Sequence, residues 1–159
     1  MPLILVVALI AALAAVPVPT ASAAHDASER RLVRLIAADR AAHGLPPLRP
    51  SRRLARAADR HAIRMARAGV LWHRSGRSLL RTAGSGWTGE VLARAPSPEW
   101  ALAAWLRSRG HRAVLRARQA RALGVAIRGN VFVAHFAGRS IAFSAVSALT
   151  KASMTTGSN

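Results

Sequence analysis

Two imidazoles and a carboxylate are the side chains through which this cysteine-free chain could hold a zinc ion or move a proton. His73 follows Trp72, Glu90 follows Gly89, and His111 lies between Gly110 and Arg112. Three such ligands would leave zinc a fourth position for water. The same three could act as general acid, general base and orienting partner. Their separations match no local metal motif, so spacing leaves both chemistries open. Arg74, Arg107, Arg109 and Arg112 flank the histidines. Positive neighbours favour neutral imidazole, which suits ligation, yet they oppose a dication. Zinc is therefore expected to bind weakly, if at all.

The elements that must position these residues are legible in pieces. Asp26 with Glu29 suggests a capping box opening a helix through about Ala42, with Leu32, Leu35 and Ile36 facing inward. Gly44 ends it, and Leu45-Pro46-Pro47-Leu48 forms an extended link. A second helix runs from its N-cap Ser51 to about Ala68, with Gly69 as its stop. Leu54, Ala58, His61, Ala62 and Met65 line one face of it, and Arg52, Arg53, Arg56, Arg60, Arg64 and Arg67 line another. From Val70 to Ala95 the period breaks, which suggests a loop through Gly84-Ser85-Gly86 and then a short strand. Ser97 and Pro98 open a third helix that buries Leu102, Trp105 and Leu106 and closes at Gly110. Leu123–Ile127 and Val131–Phe136 form a hairpin about Gly129-Asn130.

Composition limits the function classes. The 159 residues carry 24 Lys+Arg against 6 Asp+Glu, a net charge of +18, and Lys151 is the one lysine. With 52% apolar residues the chain can bury a core. The absence of cysteine excludes a disulfide scaffold, a CxxC redox centre and a thiolate zinc finger. Leu3 to Val16, then Pro17, Pro19 and Ala21-Ser22-Ala23, has the pattern of a secretory signal over residues 1–23, cleaved or retained as an anchor. It lacks the usual leading positive charge. Residues 24–137 would then form the domain, and residues 138–159 a partly disordered appendage.

The ordered set of segments from Leu32 to Phe136 resembles the bacterial, SCP-like branch of the CAP superfamily (cysteine-rich secretory proteins, antigen 5 and pathogenesis-related 1). The resemblance lies in Leu32-Val33-Arg34-Leu35-Ile36 leading to Asp39-Arg40 and Gly44-Leu45-Pro46-Pro47-Leu48. It continues through Leu54-Ala55-Arg56-Ala57-Ala58, His61-Ala62 and Met65-Ala66. It is strongest in Trp72-His73-Arg74-Ser75, Gly89-Glu90, Ser97-Pro98-Glu99, Ala104-Trp105 and Ser108-Arg109-Gly110-His111-Arg112, followed by Leu123-Gly124-Val125-Ala126. It implies an α+β fold, a three-layer α-β-α sandwich with a central antiparallel sheet. It also implies a cleft where His73, Glu90 and His111 meet beside Ser108 and Trp72. Ser108 stands where animal members often carry a second glutamate, and Val91 stands where Asn usually follows Gly-Glu.

Two functions follow as expectations. One is a secreted or envelope-associated, non-enzymatic module that binds an anionic lipid, a wall polymer or a protein partner through this cleft and the arginine face. The other is an extracellular hydrolase using His73, Glu90 and His111, with or without zinc. Specific nucleic-acid binding is disfavoured, since export and the lack of a recognition motif both oppose it. Among the other candidates, His61 is expected in the core on a backbone partner, and His135 in a structural or solvent-facing position. His25 and His43 fall at a terminus and a helix end, Trp100 and Trp105 in the core, and Trp72 and Trp87 beside the cleft.

Overall fold

The structure, a computed structural model, describes residues 21–84 and 86–139, with side chains from His25 onward. The expected leader lies largely outside the described residues, as does the appendage beyond Arg139. No helix among the described residues is long and apolar enough to cross a membrane.

Among the described residues, five helices flank one four-stranded sheet. The elements are α1 (Ala21–Ala42), β1 (Arg49–Pro50), α2 (Arg52–Ala68), α3 (Gly76–Ala83), β2 (Trp87–Arg94), α4 (Pro98–Arg107), α5 (Arg109–Leu115), β3 (Ala120–Arg128) and β4 (Val131–Gly138). The sheet order is β1-β3-β4-β2. β2 and β3 both run antiparallel to β4, while the two-residue β1 adds a parallel edge to β3. The fold is the α+β sandwich expected, with that one parallel edge.

The two faces of the sheet bury different chemistry. Strand residues alternate between faces, so Val91, Ala93, Leu123, Val125, Ile127, Phe132, Ala134 and Phe136 meet Leu32, Ile36, Ala101, Leu102, Trp105 and Leu115 from α1, α4 and α5. Leu92, Ala126, Val131 and Val133 turn the other way, toward Ala58, Ala62 and Met65 of α2. On this second side α2 rests directly on the sheet. A Cβ on Gly124 would stand 2.1 Å from the Ala55 nitrogen, so the absence of a side chain there sets the distance between helix and strand.

Caps explain where most helices begin and end. Ser51 accepts from the Leu54 amide, and Gly69 closes α2 in the left-handed region. Ser97 accepts from the Trp100 amide, with Pro98 in the first turn of α4. Four expectations are corrected. No capping box forms at Asp26 and Glu29: α1 begins at Ala21, and Glu29 Oε1 instead accepts the Ile127 amide at 3.0 Å. The stretch after Val70 holds a helix, α3, capped by Ser75 and stopped by Gly84, because eight residues are too few to show a period. Gly110 does not end a helix. Ser108 ends α4 and caps α5, and Gly110 sits inside α5. Trp100 lies outside the core at 61% exposed, whereas Trp105 is fully buried.

Arg40, itself buried, fastens the end of α1 to the segment between α5 and β3. It donates to the carbonyls of Leu115 (2.7 Å), Ala117 (3.1 Å) and Pro46 (2.9 Å). Burial, more than the nearby Arg121, pulls its pKa below the ordinary guanidinium value. Asp39, next to it, holds Arg116 through two oxygens at 2.7 and 3.0 Å.

Candidate functional site

β2 is an edge strand, so segments from both helical layers can reach its open side. Glu90 lies on β2 directly across from His135 of β4, and both point toward α2. The loop after α2 brings Trp72, His73 and Arg74 over the edge, and α5 brings His111 around from the other layer.

The Glu90 carboxylate is the centre of this arrangement. Oε1 accepts from His73 Nδ1 at 2.9 Å and from the Arg74 amide at 2.9 Å. Oε2 accepts from His135 Nε2 at 2.8 Å. His61 Nε2 stands 3.7 Å from the same oxygen and is hydrogen-bonded to the Trp72 carbonyl at 2.8 Å. Burial works against the carboxylate charge, but the bonds from His135, the Arg74 amide and His73 outweigh it and hold the pKa below the usual carboxylate value. Burial pushes His61 below the ordinary imidazole value despite the nearby Glu90. His135 Nδ1 is buried and has no hydrogen-bond partner among the described residues.

The structure therefore brings His73 onto Glu90 and sets His111 beside His73, with ring centroids 6.0 Å apart. No hydrogen bond or ion pair joins His111 to Glu90 among the described residues; the His111 amide donates to Ser108 Oγ. Its pKa is lowered first by burial and then by the charge of His73. The flanking arginines invoked from the sequence are not the cause, and Arg112 is turned away onto the Leu106 carbonyl at 2.7 Å. Trp72 is 40% exposed, and its ring meets the edge of His61 at 5.5 Å.

Two further residues belong to the cluster. His61 is in the core on a backbone partner, as its helical position suggests, but it also lies against Glu90. Of the two positions expected for His135, the structural one is found: it is fully buried and supplies the hydrogen bond to Glu90 Oε2. The signal that could have found it is the strand register, since the hairpin about Gly129 sets which face each residue of β4 occupies.

For zinc the donor set does not fit. Both Glu90 oxygens are already engaged by nitrogen donors, and no group of three His, Cys, Asp or Glu among the described residues has the geometry to hold a metal ion. What the arrangement can do is orient. A buried carboxylate fixes His73 through Nδ1, while the His73 side chain remains 58% exposed against 2% for Glu90. That leaves its other nitrogen to meet a ligand beside His111.

All six arginines singled out on α2 are exposed: Arg52, Arg53, Arg56, Arg60, Arg64 and Arg67. None of them forms an ion pair with an acid among the described residues. Asp59, the acid on the same helix, is taken by Arg128. Arg77 and Arg81 of α3 are exposed as well, and Arg53 reaches the Arg81 carbonyl at 2.7 Å, which joins the two helices into one basic surface.

The sandwich and its edge cluster define the class of protein, and sequence comparison supplies the family. Residues 33–132 match the cysteine-rich secretory protein family, CAP, and the chain belongs to that family. Among solved structures it is similar to an extracellular SCP-domain protein of Bacillus anthracis str. Ames, with a TM-score of 0.69 and 26% identity. That match covers 78% of this chain and 45% of the other, so the chain spans under half the length of that relative. An outer surface protein of Borrelia burgdorferi shares the fold, with a TM-score of 0.64 and 23% identity over 72% of this chain and 94% of its own. A cysteine-rich secretory protein of Staphylococcus aureus subsp. aureus Mu50 does so too, with a TM-score of 0.66 and 16% identity over 76% and 40% of the two chains. No curated protein matches the sequence significantly.

Proposed function

We propose that this CAP-domain protein acts outside the cytoplasm as a binding module, without catalysis, for an anionic component of the cell envelope. The ligand lies on the arginine surface of α2 and α3 and abuts the exposed His73–His111 corner. The observation that carries this reading is that the six exposed α2 arginines have no acidic partner among the described residues. The extracellular and outer-surface descriptions of the structural relatives support the location. Co-sedimentation with phosphatidylglycerol liposomes tests it. Retention at low salt should vanish at high salt, as expected when binding is largely electrostatic. It should also weaken when Arg56, Arg60 and Arg64 are replaced by Gln. Retention insensitive to salt would instead indicate apolar insertion, for which Val70, Trp72 and Leu80 are the exposed candidates.

One observation favours a second reading, extracellular hydrolysis. A histidine held by a buried carboxylate, with its far nitrogen free, is the arrangement of an oriented general base. In that reading His73 takes a proton from water, His111 returns one to the leaving group, and Glu90 stabilises the His73 imidazolium. Release of product from a panel of ester substrates, lost in both His73→Ala and His111→Ala, would favour catalysis over the binding module.

A further inference from the structure

An open groove of about 480 Å³ lies on the far edge of the sheet from His73, between the N-terminal halves of α1 and α2. This volume falls in the range of ligand sites, roughly 300–1,000 Å³. Its wall is mainly apolar, from Val33, Leu48, Pro50, Ala55, Leu123 and Val125.

The floor of the groove is an incompletely paired strand. β1 accompanies β3 only beside Ala122 and Leu123. The Leu123 carbonyl accepts the Ser51 amide at 2.8 Å, and the Ile127 amide donates to Glu29 Oε1 at 3.0 Å. Both groups therefore point away from β4. Alternate residues of an antiparallel strand share this orientation, so the N–H and C=O of Val125 also face outward, into the groove. Pro50, the last residue of β1, stops the neighbouring strand just before it. The Ile127 carbonyl is closed by Arg128 at 2.7 Å. Between these capped neighbours Val125, itself largely buried, lines the groove, and among the described residues neither β1 nor a side chain bonds its N–H or C=O.

The rim carries exposed Arg30, Arg34 and Arg52, none of which forms an ion pair among the described residues. Two carboxylates line the groove as well, Asp26, which is exposed, and Glu29. Burial raises the Glu29 pKa, and its Oε1 already accepts from Ile127 and Arg128, so the three arginines still outnumber the acids at the rim. An acyl chain would fill the apolar wall yet cover the Val125 N–H and C=O without pairing them, which is costly for buried polar groups. An extended peptide satisfies both and places alternate side chains on the wall.

We propose that this groove binds an extended, acid-ended peptide by strand addition to β3 at Val125. The apolar side chains of the peptide lie on Ala55, Leu48 and Val33, and its carboxylate lies among Arg30, Arg34 and Arg52. The site is independent of the liposome-binding surface except for Arg52, which borders both.

The test is fluorescence anisotropy of the full chain with a fluorescein-labelled peptide, Thr-Val-Thr-Val-Glu, bearing a free C-terminus. Saturable binding is expected, lost in Ala55→Trp, which fills the groove, and unchanged in Trp100→Ala, an exposed residue of α4 outside the groove lining. Val125→Pro removes the outward N–H while leaving the bonds to β4, and should weaken binding about tenfold, the effect of one hydrogen bond. If that variant does not fold, peptides N-methylated at successive residues give the same readout. Methylation at one register should weaken binding and at the neighbouring position should not. Equal binding of all N-methylated peptides, no peptide binding, or competition by oleate in place of strand pairing would overturn the proposal.

Discussion

The two faces of the sheet were built by opposite rules. Under α1, α4 and α5 the strand residues are apolar, and Trp105, Leu32, Ile36 and Phe136 fill the space. Under α2 the same strands contribute Glu90 and His135, the helix contributes His61, and the apolar share is limited to Leu92, Val131, Val133, Met65 and alanines. A fully apolar second face would fold at least as well, since buried ionic groups often stabilise less than apolar replacements of similar size. The cluster is thus better explained by what it orients, His73 at the edge, than by any contribution to stability.

The largest expected effects compare one residue from each face. Trp105→Ala should cost about 3–5 kcal/mol through the cavity it leaves. Glu90→Ala should cost a similar amount, about 3–5 kcal/mol, because three nitrogen donors lose their acceptor. Their pH dependence separates them. The Glu90 pKa is depressed in the folded state, so its contribution is complete above the unfolded carboxylate value, near 4.3, and is lost as pH falls through the folded value. Urea midpoints of the two variants across pH 7 to 3 should show the Glu90→Ala deficit shrinking at the acid end, with the Trp105→Ala deficit unchanged there. Parallel curves would mean that the second face is held by packing alone.

Gly124→Ala addresses how closely α2 sits on the polar face. The new methyl meets the backbone of Ala55 and Leu54, which cannot rotate away as a side chain could. A loss of about 1–3 kcal/mol is expected from such overpacking. It should be accompanied by weakened protection of the His61 and Glu90 region in hydrogen exchange. The same substitution at Gly110, whose Cβ would meet nothing within 4 Å, serves as the control.

What was legible in the sequence followed the locality of the signal, not the face of the sheet. Caps and periodicity place α2 and α4 from Ser51, Gly69, Ser97 and Pro98, because each is a local signal within a few residues of the boundary it sets. The hairpin is equally local. The helix α3 was hidden because one buried residue, Leu79, leaves no stripe to count. Glu29 was misassigned because its partner, Ile127, lies on a distant strand, and a capping box is the only role visible nearby. His135 escaped for the same reason. Its neighbours in the strand are apolar, and only the pairing of β2 with β4 reveals that it lies opposite Glu90. Residue types and flanks singled out His73, Glu90 and His111, and the family resemblance joined them where no local spacing could.

The smallest effect expected concerns His61, where the two faces can be distinguished by protons rather than by size. Its pKa is lowered by burial, so the folded protein keeps this ring neutral below the pH at which the unfolded chain would protonate it. Stability from this residue is therefore complete above the unfolded value, near 6.5, and declines as pH falls toward the folded value. Glu90 and His135 adjoin the ring from the sheet, Arg64 from the same helix at 3.5 Å, and the Trp72 carbonyl accepts its proton. His61→Phe keeps most of the volume, removes the bond to Trp72 and should cost about 1 kcal/mol at neutral pH. Its melting temperature should change less than that of the natural sequence between pH 7 and 5. An identical slope would place the acid sensitivity elsewhere, with His111 as the next group to replace, since burial lowers its pKa as well.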